Sequence, residues 1–152
     1  MAYTTINKST DYFNTKLYTG NGSTNNITGV GFQPDWLWIK SRGATENHVL
    51  CDAIRGVTKQ LYSNTSGAES TNATALTAFA SDGFNLATTN SNTNANSATY
   101  VAWNWKANGQ GSANTTGTIN SSYTSANTTS GFSIVTYTGT GTAGTIGHGL
   151  GA

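Results

Sequence analysis

Six carboxylates are the whole supply for acid–base chemistry: Asp11, Asp35, Glu46, Asp52, Glu69 and Asp82. A glycosidase needs two of them about 5–9 Å apart across a sugar cleft. Acids two residues apart on one strand would supply that pair locally, and no such spacing occurs. Asp35 follows the only proline, Asp82 opens an Asp-Gly turn, and Glu46 and Glu69 fall in polar stretches, so each has an ordinary structural use. His48, Cys51 and Asp52 carry the right atoms for nucleophilic catalysis. On a strand, however, His48 and Asp52 share a face about 13 Å apart while Cys51 points the other way. That segment alone forms no Cys–His pair. Cys51 is expected as a small buried hydrophobe, and Asp52 is expected to pair with Arg55. No Cys/His or acidic spacing suggests zinc or an EF-hand. The expectation is a non-enzyme with no cofactor and no metal.

The aromatic residues offer binding rather than catalysis. In Trp36-Leu37-Trp38-Ile39-Lys40, the tryptophans share a face with Lys40, and Leu37 and Ile39 take the other. Trp36 and Trp38 are therefore candidates to face a groove or a neighbouring subunit. Tryptophan suits carbohydrate platforms and interface hot spots alike, because it offers a large flat apolar area with one donor. In Tyr100 to Lys106, Val101, Trp103 and Trp105 share a face, which is expected to be the core face. Tyr12, Tyr62 and the Asn/Thr-rich stretch 88–97, with Asn90, Asn92 and Asn94, could donate hydrogen bonds to sugar hydroxyls. The competing expectation for that stretch is a solvated loop with no ligand.

What positions these side chains is β-structure. Thr, Ser and Asn make up about 40% of the 152 residues, and charged residues only 9%. Thr fits a pleated surface, and Asn and Gly serve turns. Short apolar runs at 13–18, 27–32, 36–40, 48–52, 76–79, 83–86 and 99–106 are separated by turn signals such as Gly20-Asn21-Gly22 and Ser81-Asp82-Gly83. No segment keeps a helical period. The fold expected is all-β, an antiparallel β-sandwich of jelly-roll type.

Net charge is +1 and the basic residues are scattered, which argues against a nucleic-acid partner. No apolar run approaches the ~20 residues of a membrane span. The first residues lack the basic start and apolar stretch of a secretory signal. With so polar a composition, this suggests a protein that leaves its cell on a particle or by lysis.

One phrase occurs twice, about 120 residues apart. Leu17-Tyr18-Thr19-Gly20-Asn21-Gly22, then Ile27, then Gly29-Val30-Gly31-Phe32, is matched by Thr136-Tyr137-Thr138-Gly139-Thr140-Gly141, Ile146 and Gly149-Leu150-Gly151-Ala152. Such a period marks tandem domains. The organisation expected is a sandwich module over 1–107, a Gly/Ser/Thr/Asn-rich linker over 108–130 with room for one strand around Ile119 to Tyr123, and the first hairpin of a second, truncated repeat over 131–152.

Several phrases together resemble a known family: Gly31-Phe32-Gln33-Pro34-Asp35-Trp36-Leu37-Trp38-Ile39-Lys40-Ser41-Arg42, His48-Val49-Leu50-Cys51-Asp52-Ala53-Ile54-Arg55-Gly56, Ser81-Asp82-Gly83-Phe84-Asn85-Leu86 and Tyr100-Val101-Ala102-Trp103-Asn104-Trp105-Lys106-Ala107. In this order they resemble an uncharacterised concanavalin-like, lectin-like repeat domain of tail-fibre-like and other structural proteins of marine bacteriophages. The resemblance covers 13–107 and resumes at 131–152. It implies a virion-surface, extracellular role and brings no assigned catalytic or binding residues. The function expected is a non-catalytic structural and adhesion module of a tail fibre, whisker or capsid decoration. Its partners would be copies of itself, other virion proteins or a host-surface glycan. The alternatives are an architectural filament subunit without ligand and, against the scarcity of acids, a polysaccharide depolymerase.

Overall fold

A computed structural model describes residues 6–151. They form a short 3-10 turn, Ser9–Asp11, and twelve strands: β1 (Phe13–Thr19), β2 (Asn25–Ile27), β3 (Trp36–Ser41), β4 (Val49–Asp52), β5 (Lys59–Tyr62), β6 (Ser70–Thr71), β7 (Leu76–Ala80), β8 (Gly83–Leu86), β9 (Thr99–Trp105), β10 (Ser112–Asn114), β11 (Ser121–Asn127) and β12 (Phe132–Tyr137). The fold is all-β, as composition indicated, and neighbouring strands pair antiparallel. The main sheet has the order β1-β9-β3-β4-β5-β6; two smaller ones are β2-β8-β7 and β10-β11-β12. Among the described residues no helix is long and apolar enough to cross a membrane.

One core joins the main sheet to β2-β8-β7. Leu37, Ile39, Val49, Cys51, Tyr100 and Ala102 come from the first, and Ile27, Leu76, Phe84 and Leu86 from the second. Tyr18 closes it, its ring stacked 5.2 Å from that of Tyr100 and edge-on to Phe84 at 5.9 Å. Burial raises the Cys51 thiol to about 12, so at neutral pH it is a protonated, apolar core group.

β3 keeps the two faces its alternation predicts, and the structure sets Leu37 and Ile39 inward and Trp36 and Trp38 outward. β9 is reversed against expectation. Its inward residues are Tyr100, Ala102 and Asn104, and Trp103 and Trp105 face out, half-buried. The inward Tyr100 hydroxyl and the Asn104 amide nitrogen find partners there, while Asn104 Oδ1 is buried without one among the described residues. The Tyr100 hydroxyl donates to Ser91 O and accepts from Ala95 N, and Asn104 Nδ2 donates to Asn14 O and Ala102 O.

The Asp-Gly turn before β8 acts as a brace. The Asp82 carboxylate accepts the amides of Gly29 and Gly31 at 2.9 and 2.7 Å. Gly83 has φ +152°, and a Cβ there would strike the Ile27 carbonyl oxygen. The two amide bonds, helped by Lys16, hold the Asp82 carboxyl below its ordinary value. Because the folded value is depressed, the stabilisation is present above the unfolded value and fades as pH falls through the folded one. Asp82→Asn should therefore flatten the loss of stability as pH falls below the ordinary carboxylate range, read from urea midpoints against pH. An unchanged acid slope would remove Asp82 from the brace.

Two expectations of organisation differ from the structure. Residues 108–130, expected as a linker, contain β10 and β11, and β11 pairs with β12 through the loop 128–131. Hydroxyls replace apolar anchors here: Ser121, Thr124 and Ser125 are buried, Ser121 Oγ lies 2.7 Å from Thr124 Oγ1, and Ser125 Oγ accepts the Asn108 amide. Nor does Gly20-Asn21-Gly22 close a hairpin. β1 pairs with β9 and β2 with β8, so the chain crosses from one sheet to the other. In the second copy the equivalent crossing leads only to a bridge between Ile146 and Ile119.

Candidate binding face

The outward face of the main sheet is apolar. Register sets its rows. One runs Phe13, Trp105, Trp36, Asp52; the next runs Thr15, Trp103, Trp38, Leu50, Leu61. The third carries Leu17, Val101 and Lys40. Trp36 and Trp105 approach to 4.5 Å between ring centroids, Phe13 and Trp105 to 4.7 Å, and Trp38 and Trp103 to 5.6 Å. All four tryptophans thus form one aromatic slab. A shallow hollow of about 250 Å³ opens among Phe13, Trp38, Trp103 and Trp105. Phe13 and Leu61 are each 37% exposed at its flanks, and Leu17 is 56% exposed.

Polar groups around the slab are already engaged. Trp38 Nε1 donates to His48 Nδ1, and Lys40 Nζ donates to Ser41 O and Ala44 O. The Arg55 guanidinium holds Asp52 at 2.6 Å and Glu69 at 3.2 Å. Glu69 also pairs with Lys59 at 3.6 Å, so these two carboxylates serve two cations rather than face a cleft. Among the described residues no group of three or more His, Cys, Asp or Glu could hold a metal ion. The surface offers flat apolar area and ring edges; it holds no assembled acid–base pair.

The sequence-predicted residues divide. Trp36 and Trp38 lie in the slab, and Trp103 and Trp105, expected in the core, join them. Each strand carries Trp-x-Trp, and the antiparallel register opposes Trp36 to Trp105 and Trp38 to Trp103; the doubled motif was the signal. Tyr12 borders a second hollow of about 290 Å³ with Phe13, Trp105 and Phe132 at the slab's end. There Phe132 of β12 packs 6.1 Å from both Trp36 and Trp105.

Tyr62 is elsewhere, against the core, with its hydroxyl donating to Gln60 Oε1. Asn94 is a buried structural clip rather than a surface amide, and half-buried Asn90 and Asn92 commit their Oδ1 atoms to backbone amides. Asn90 Oδ1 accepts the Asn92 amide, Asn92 Oδ1 accepts the Asn47 amide, and Asn94 is fully buried. Asn94 Oδ1 accepts from Asn21 N and Asn25 Nδ2, and its Nδ2 donates to Ser23 O and Thr88 O.

A family model described as a domain of unknown function, DUF7483, matches residues 8–152. No curated protein and no solved structure matches the chain.

Proposed function

The chain belongs to the DUF7483 family of domains of unknown function, and we propose that it is a non-catalytic adhesion and structural module that binds glycans on its aromatic slab. The observation that carries this is the set of four tryptophans on the outward face of a sheet whose other face already forms the core. An outward sheet face is ordinarily polar, and a contiguous apolar one marks an interaction surface. Indole faces stack against the C–H face of a pyranose, and half-buried tryptophans are held in place for that contact at little entropic cost.

The shared core of the two sheets supports a concanavalin-like jelly-roll sandwich. The phage-like phrases support a place on the virion surface, in a tail fibre, whisker or capsid decoration. Repetition along such a fibre would turn weak single-site binding into firm attachment. A second reading, an architectural subunit whose slab is covered by a neighbouring copy, is favoured by Phe132, which already covers one end.

Glycan-array binding of the full chain, beside Trp38→Ala and Trp103→Ala, tests the first reading. Retention of a subset of glycans is expected, with each variant losing it by roughly tenfold or more, as for a hot-spot aromatic. If the unaltered chain retains no glycan yet sedimentation shows an oligomer that Trp38→Ala dissociates, the slab is an interface between copies.

A further inference from the structure

The two copies of the repeated phrase share a backbone but not their surroundings. Gly22 and Gly141 have φ of +68° and +73°, Gly29 and Gly149 +79° and +72°, and Gly31 and Gly151 +91° and +81°. In the first copy these shapes serve packing. A Cβ on Gly20 would strike the Ala95 carbonyl oxygen, and one on Gly22 would sit 3.3 Å from Asn96 Cβ. Tyr18 stacks on Tyr100 and donates its hydroxyl to Thr93 O. In the second copy the tyrosine and the two turn glycines lie open, whereas Gly149 packs against Thr124 and Ala126. Gly139 and Gly141 have nothing within 4 Å of a built Cβ. Tyr137 is 54% exposed, with no ring partner among the described residues.

The open edge of β12 is also the correct one. In β1, Tyr12 O and Gly20 N bond Lys106 N and Ala98 O, so the even-numbered residues turn their backbone groups toward β9. Their counterparts in β12 are odd-numbered, Val135 standing for Lys16. Val135 lies opposite Thr124, whose carbonyl oxygen points away from β12, against Gly111 on the β10 side. In an antiparallel pair, facing residues turn the same way relative to the ladder, so Val135 points its N–H and C=O to the unpaired edge. Among the described residues β11 therefore occupies one edge of β12 and leaves free the edge that corresponds to the one β9 fills in β1.

We propose that β12 and the turn after it are an acceptor for a β9-type strand, with the loop that precedes it, from another copy of this repeat. The incoming strand would set a Trp105-type residue opposite Phe132 and a Tyr100-type residue opposite Tyr137, the register of β1 with β9. Its loop would place an Ala95-type carbonyl against Gly139. Backbone pairing supplies the affinity and the alternating side chains the selectivity. A glycine with no neighbours, kept where the first copy needs one for a close approach, points to this occupant rather than to an unrelated strand. The inference stands apart from the glycan reading and survives its failure.

The test adds a peptide spanning residues 88–107 to the full chain and follows amide hydrogen exchange. Protection of Ser133, Val135 and Tyr137 is expected to rise by roughly tenfold or more. Gly139→Ala should leave the melting temperature of the free chain unchanged, because nothing lies within 4 Å. It should weaken the peptide by about tenfold or more, because the methyl meets the arriving carbonyl. No gain on β12, protection confined to the tryptophan slab, or equal binding by Gly139→Ala would each overturn the proposal.

Discussion

Phe84→Ala should lower stability by about 3–5 kcal/mol, as emptying a rigid aromatic site does, with a fall in Tm on the order of 10 °C. Phe84 is fully buried where β8 meets the main sheet, and its ring takes the edge contact with Tyr18. Its neighbours Leu37, Ile39, Leu76 and Leu86 are also fully or almost fully buried in strands paired on both sides or braced by turns, so the site cannot collapse cheaply. Phe84→Leu refills much of the volume and should recover more than half of the loss. Urea denaturation of both variants is the check. A cost below about 1 kcal/mol for Phe84→Ala would mean that the two sheets do not share one close-packed core.

Asn94→Ala should be nearly as damaging, at about 3–4 kcal/mol, because it strands several buried or half-buried polar groups at once. Asn21 N loses an acceptor, and Ser23 O and Thr88 O lose a donor. Asn94→Asp separates the parts of the network. It keeps an acceptor for Asn21 N but turns a carboxylate toward two carbonyl oxygens, so at neutral pH it should be no better than alanine. Urea midpoints of the two variants, with amide exchange at 21–25, provide the measurement. Variants within about 0.5 kcal/mol of the unaltered chain would show that the clip is dispensable.

These two residues also show what could be read from sequence. Phe84 and Leu86 follow an Asp-Gly turn in an alternating run, and Leu37 and Ile39 alternate with tryptophans, so their strands and their core roles were legible. Asn94 sits in a run of Asn, Thr and Ser with the composition of a solvated loop. Its burial depends on amides and carbonyls about 70 residues away, which no local period encodes. β9 failed for a related reason. Tryptophan is the more apolar residue, but Tyr100 and Asn104 go inward, where backbone groups outside β9 meet the Tyr100 hydroxyl and Asn104 Nδ2. β11 was legible only near Ile119 to Tyr123, because its inward residues are Ser121, Thr124 and Ser125, whose hydroxyls bond one another and nearby amides. That Trp36 and Trp38 share a face apart from Leu37 and Ile39 was legible, whereas which face is outward and the slab itself were not, since they need the register that sets them beside Trp103 and Trp105.

Cys51 is the only cysteine of the chain, sealed in the core with its thiol held protonated. Copies laid end to end or side by side have no sulfur with which to stitch themselves together. Contacts between copies of this segment would therefore include no Cys51 disulfide, and any such assembly should be indifferent to reducing agents.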